Sequence, residues 1–177
     1  MNIEALKKVR DSLVVMGVHP IKIDFSKNTT SSPFGVAVES PSFSRLQWTF
    51  LRQANSELAN STDALDNMPR YIVTFVVNAL TELALMKDGK PLPSGEVIPP
   101  ELLIAKIDID FSIDYICSSD PAGLDVEGIG EFTKHNLPYH FWPYWRELIQ
   151  SIAMRGQLSV PILPPYTVQE EARPNAQ

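Results

Sequence analysis

Cysteine is almost missing from this sequence, and Cys117 stands alone. One thiol cannot form an internal disulfide or supply the ligands of a structural zinc site. A reducing, cytoplasmic setting is the simplest expectation. Histidine is nearly as scarce. His19, His135 and His140 are too scattered for a metal motif, so no metal is expected. No apolar run is long enough to span a bilayer, which takes about 20 residues. The most apolar stretch, YIVTFVVNALTELALM, contains Asn78 and Glu82. The opening MNIEALKKVRDSLVVMGVHP scatters charges among its apolar residues, where a signal peptide needs an unbroken apolar centre. A soluble chain without a membrane partner is expected. Positive charge is also in deficit. A net charge of -6 argues against nucleic acid, because phosphate binding exchanges counterions for lysine and arginine.

Catalytic motifs are missing as well. No Gly-x-Ser-x-Gly elbow supports serine hydrolysis. KDGKPLPSGE has glycine and lysine, but two prolines and no Gly-Lys-Ser/Thr. It is no phosphate cradle. GLDVEGIG lacks both the dinucleotide spacing and a following helix pattern. No enzyme chemistry and no cofactor are expected.

What is present is patterned. Residues 2–16 read as a helix, with Leu6, Val9, Leu13 and Met16 on one face, Asn2 as cap and Gly17 as stop. PIKIDFS, FGVAVES and RLQWTFLRQ alternate apolar and polar residues, as strands with one buried face do. RYIVTFVVNALTEL fits a helix stripe too, but its β-branched residues favour a strand. IDIDFSIDYIC is the clearest strand. Ile107, Ile109, Phe111, Ile113, Tyr115 and Cys117 fall on one face, and Asp108, Asp110, Ser112 and Asp114 on the other. A one-residue slip would put the whole apolar row in water. The acidic row reads either as a solvated face or as a docking face for a partner. Same-face neighbours lie about 7 Å apart, too far for a tight carboxylate pair.

FWPYWRELIQSIAMRG packs three rings ahead of a helix that starts near Pro143 and ends at Gly156. The rings could be core, a stacking platform or a protein-binding surface. The expected stripe is Tyr144, Leu148 and Ile152, with Tyr144 inward and Trp142 and Trp145 at the boundary of core and groove. SVPILPPYTV beyond it is proline-stiffened, and QEEARPNAQ is expected to be a mobile tail. Grouped strands followed by a helix predict an α+β fold with a four-stranded antiparallel sheet, a C-terminal helix and an extra N-terminal helix. One domain over 1–168 is expected, with the sheet region at 20–118, helical region at 131–156, an extended segment at 157–168 and a tail at 169–177.

FWPYWRELIQSIAMRGQLSVPILPPYTV resembles the C-terminal part of the bacterial export chaperone SecB and its relatives. The matching positions are Pro143, Tyr144, Arg146, Glu147, Ile149, Ser151, Arg155 and Gly156, then Leu158, Leu163 and Pro165. The resemblance implies an ATP-independent holdase that wraps unfolded client polypeptides in apolar grooves. It also implies self-association into dimers and dimers of dimers. The implied groove lies between the helix and the loop after the first strand, with Phe34, Phe43, Trp142, Trp145 and Tyr166 as client contacts. The family's first strand carries acids that dock the motor SecA. The loosely matched positions here are Lys22 and Ser26, which argues against that coupling. Some relatives guard the antitoxin of a toxin–antitoxin pair, so a dedicated client such as an antitoxin is the alternative. Asp108, Asp110 and Asp114 are candidates to replace the lost acidic site. An unrelated α+β ligand binder or enzyme is the remaining reading.

Overall fold

The computed structural model describes residues 2–28, 42–58, 70–117, 119–156, 158 and 166. The elements run α1 (Ile3–Ser12), β1 (Leu13–Lys27), β2 (Ser42–Leu58), β3 (Arg70–Leu85), β4 (Leu103–Cys117), a 3-10 turn (Pro121–Gly123), α2 (Val126–His135) and α3 (Leu137–Arg155). The strands form one antiparallel sheet in the order β1-β4-β3-β2. This is the expected α+β architecture.

β4 sets the two faces. Its apolar row alternates without a break, and Ile109, Phe111, Ile113, Tyr115 and Cys117 are fully buried. β3 adds Val73, Phe75, Val77 and Ala79 to the same face. Helices α2 and α3 cover that face with Phe132, Leu137, Phe141, Trp145 and Ile149. Each large apolar side chain so buried contributes about 1.5–3 kcal/mol. RYIVTFVVNALTEL is therefore a strand: its β-branched residues lie in the middle of the sheet.

The N-terminal helix is shorter than expected. It stops at Ser12, and Leu13 enters β1 opposite Cys117. Leu13-Val14-Val15 prefers the pleat, and pairing along β4 outweighs one more turn of helix. Gly17, expected to stop the helix, instead follows a β-bulge at Met16, and a second bulge falls at Ile21 after Pro20. β1 lies at the edge of the sheet, the position that tolerates both proline and bulges. α1 packs on α2 where a Cβ on Gly128 would stand 2.6 Å from the Ala5 carbonyl oxygen. Only glycine permits that approach.

α2 corrects the reading of GLDVEGIG. Asp125 caps the helix, accepting from the Gly128 N–H at 3.0 Å, and VEGIG forms its first turns. The glycines hid the helix because they lower its local propensity. α3 also begins earlier, at Leu137, with Pro138 in the first turn, so Pro143 is interior. Its missing N–H leaves the Tyr139 carbonyl without its helical donor. Tyr139 and Pro143 are both exposed, so water can serve that oxygen. Gly156 ends the helix with φ -78°, not in the left-handed region, and its N–H bonds the Ile152 carbonyl at 2.8 Å.

At the far end, Arg45 holds the loop before β4. Its guanidinium donates to the Pro93 carbonyl at 3.0 Å and to the Glu96 carbonyl, 3.9 Å from the Glu82 carboxylate. The expected strand FGVAVES and the tail 169–177 lie outside the described residues.

A polar pair sits inside the core. Tyr115 Oη lies 2.6 Å from His140 Nδ1. Burial raises the phenol pKa and lowers that of the imidazole. Near neutral pH the phenol O–H therefore donates to an unprotonated ring nitrogen. The folded-state pKa of His140 lies below its ordinary 6.5. Neutral His140 thus stabilises the fold above about pH 6.5, and this contribution is lost as pH falls through the folded pKa. His140→Gln keeps an acceptor for Tyr115 but cannot titrate. Urea unfolding between about pH 7.5 and about pH 5 should show a smaller loss of stability in the variant than in the wild type.

Candidate functional site

α3 lies on the sheet's inner face and leaves apolar surface on both sides. Its N-terminal half reaches β2, where Phe141 meets Trp48 edge-on at 5.7 Å. Its C-terminus reaches β1, where Lys27 Nζ donates to the Gly156 carbonyl at 3.0 Å.

The buried stripe of α3 is Leu137, Phe141, Trp145, Ile149 and Ala153. This shifts the expected stripe by one position. Trp145 is core, only 1% exposed, whereas Tyr144 is 47% exposed and faces out. The physical reason is the early helix start. Leu137 and Phe141 extend the four-residue spacing upstream, and Phe141 packs on Phe111 at 6.0 Å. That contact fixes the helix's rotation about its axis.

On the β1 side a cavity of about 220 Å³ opens between strand and helix. Pro20, Phe111 and Leu148 make its apolar wall, and Tyr144, Glu147 and Ser151 its helical rim. Three motif positions of α3 therefore line one groove. Of the others, Pro143 lies inside the helix, Arg146 is half-buried, and Arg155 and Gly156 mark its end. Along β1 the side chains of Val14, Val15, Met16, Ile21, Ile23 and Phe25 are exposed. Ile23 and Phe25 pair with Ile109 and Ile107, so they belong to the helix-covered face, yet α3 leaves them open. The sequence pattern had placed Ile21, Ile23 and Phe25 on a buried face. Pro20 was the available signal, since it marks an edge strand.

On the β2 side aromatic rings gather. Trp142 meets Trp145 at 5.1 Å and Tyr166 at 5.5 Å. Trp142 is half-buried, and burial raises the pKa of Tyr166. The structure thus brings together Trp142, Trp145 and Tyr166. Trp48, which joins them through Phe141, was missed as a site residue. Phe43 lies on β2 but alternates with Ser44, Leu46 and Trp48, so it belongs to the other face. Phe34 lies outside the described residues. So does most of 157–168: Leu158 packs against Leu83, Ile104 and Ala105, and Tyr166 is its other described residue.

The acidic row lies on the opposite sheet face, away from the helices. Asp114 accepts from Thr74 Oγ1 at 2.7 Å and from Ser112 Oγ at 3.3 Å. Asn78 donates to both Asp108 and Asp110. Lys106 Nζ stands 3.7 Å from Asp108. On β1, Lys22 bonds Asp24 at 2.7 Å. That bond and the Asp24 charge raise the Lys22 pKa, with smaller help from Asp110 and Asp108. The carboxylates are thus bound into cross-strand pairs. Among the described residues, no three His, Cys, Asp or Glu side chains group as a metal site requires. No described helix is long and apolar enough to cross a membrane.

The two neighbouring tryptophans differ in role. Trp145 is buried with its indole N–H unpartnered, whereas Trp142 is half-buried. Trp145→Ala should cost about 3–5 kcal/mol in urea unfolding, and Trp142→Ala less than about 2.

No family model and no curated protein matches the sequence. A search of solved structures does find a relative in shape. It is the SecB-like chaperone Rv1957 of Mycobacterium tuberculosis, in complex with a ChAD peptide from the antitoxin HigA1. The TM-score is 0.56 at 11% identity, over 93% of this chain and 97% of that one. At the level of the fold, this chain is similar to a SecB-like chaperone.

Proposed function

We propose that the chain is an ATP-independent holdase that binds unfolded or partly folded polypeptides in the cytoplasm. The observation that carries this reading is the apolar surface beside α3, exposed along β1 and half-buried at Trp48 and Trp142. A binder of many sequences needs apolar contact surface rather than one shape-specific pocket. Extended client segments lie along α3 in this reading. Their aliphatic side chains enter the groove lined by Pro20, Phe111 and Leu148. Their aromatic side chains take the flank carrying Trp142 and Trp48. Phe34 is proposed as a further contact on the resemblance alone, whereas Phe43, on the other face of the sheet, does not line the flanks of α3. Asp108, Asp110 and Asp114 are proposed as a docking face for a basic partner surface. Export is one proposed use of the holdase.

The assembly follows from β1. Its outer edge meets no described strand, and six of its large apolar side chains are exposed. Pro20 and the bulges at Met16 and Ile21 blunt part of this edge, and 22–27 is the regular stretch left for a partner strand. We propose that a second copy covers it, forming a dimer through the sheets. Ile23→Lys should then lower the mass seen by light scattering from dimer or higher assembly to monomer. An unchanged mass would exclude β1 as the interface.

A dedicated guard of one client, such as an antitoxin, is the second reading. It rests on the antitoxin peptide bound to the structural neighbour. One experiment separates the two. The purified protein, without nucleotide, is mixed with several unrelated unfolding proteins while aggregation is followed by light scattering. A general holdase suppresses aggregation of several clients at near-stoichiometric ratio, and a dedicated one spares a single client. Protection of none would defeat both readings.

A further inference from the structure

Tyr166 sits where the proposed function would put something foreign. Its ring lies 5.5 Å from that of Trp142, tilted by 53°, a contact geometry aromatic pairs favour. Tyr166 is half-buried there, and its phenol pKa is raised by that burial. The residue arrives from an unusual stretch of sequence, SVPILPPYTV at 159–168. Apolar residues and prolines make up most of it, and no charge interrupts them. Such a stretch has the chemistry of the extended apolar peptide that a holdase binds, with proline reducing the entropy lost on ordering. It is also tethered. The Leu158 N–H bonds the Ala153 carbonyl at 2.8 Å, and the Leu158 side chain packs on Leu83, Ile104 and Ala105. A ligand on so short a tether has an effective concentration in the millimolar range, so even a weak contact is substantially filled.

We infer that Tyr166 is a built-in competitor, whose ring occupies on Trp142 the place taken by an aromatic side chain of a bound polypeptide. This rests on the holdase reading above and adds its regulation. An internal occupant keeps the aromatic flank covered while no client is present, which protects an apolar surface from self-association. It also lowers the apparent affinity for clients by the fraction of molecules that are open. A single ring contact is a small barrier, so clients displace it readily. Weak, briefly populated contacts remain blocked, and only segments with more than one anchoring side chain prevail. The competitor thereby sets a threshold of client hydrophobicity.

The test compares the wild-type chain with Tyr166→Ala and Tyr166→Phe. The probe is fluorescein-labelled lactalbumin, reduced and carboxymethylated so that it stays unfolded, followed by anisotropy. Tyr166→Ala should bind roughly 2- to 10-fold tighter than wild type, the range set by the loss of one ring pair. Tyr166→Phe keeps the ring and should bind as the wild type does. The free peptide SVPILPPYTV, added at millimolar concentration, should weaken probe binding to Tyr166→Ala. Equal or weaker binding by Tyr166→Ala, with an unchanged urea midpoint showing that it is folded, overturns the inference and leaves the holdase reading standing. If no form binds the probe, the holdase reading itself fails and the competitor falls with it.

Discussion

The alternation along β4 is the constraint on which the rest depends. It is bonded on both sides, to β1 and to β3, so its register fixes theirs. Its apolar row gives α2 and α3 a surface to cover, and Phe111 and Tyr115 locate the helical side chains that pack on it. Its acidic row makes the other face polar and ties it across the strands through Thr74 and Asn78. The two helices do not cover the full width of the four strands, and Ile23, Phe25 and Phe50 stay exposed. The uncovered margins are the candidate binding surface, so fold and proposed function share one cause.

Much of this was legible in the residues. β4 could be read without ambiguity, because alternation over its length admits one face only. β3 was legible through its β-branched residues. The motif around Tyr144 and Glu147 pointed to the chaperone fold, which the shape comparison supports at 11% identity. What escaped was set by tertiary contact. The glycines of α2 read as loop chemistry until Gly128 is seen against Ala5 and Val9. The start of α3 hid behind Pro138 and Pro143, and with it the true stripe through Leu137 and Phe141. Local spacing alone fits either Tyr144 or Trp145 to the inward position. The choice is made by Phe111 and Trp48, which come from distant strands. β1 looked like a half-buried strand because alternation tells which side chains share a face, not whether anything covers that face.

The two flanks of α3 differ in chemistry. The β1 side is a cavity with aliphatic walls and a rim of hydroxyl and carboxylate groups. The β2 side is a set of rings in edge and tilted contact. A polypeptide lying across both would be gripped by two unlike surfaces. This breadth suits the proposed binding of many sequences. In the core beneath, Tyr115, Phe132, Phe75 and His140 interlock through ring contacts.

Pro20 and the irregularities at Met16 and Ile21 also shape what β1 can join. A long, smooth, greasy margin would serve as a template for endless stacking of copies into fibrils. The proline lacks a donor, and each extra residue breaks the rhythm of main-chain groups and adds twist. Any strand laid alongside therefore finds a ladder divided into short rungs, with only a few registers available. In the proposed dimer such a margin closes one partnership and is too uneven to propagate a filament.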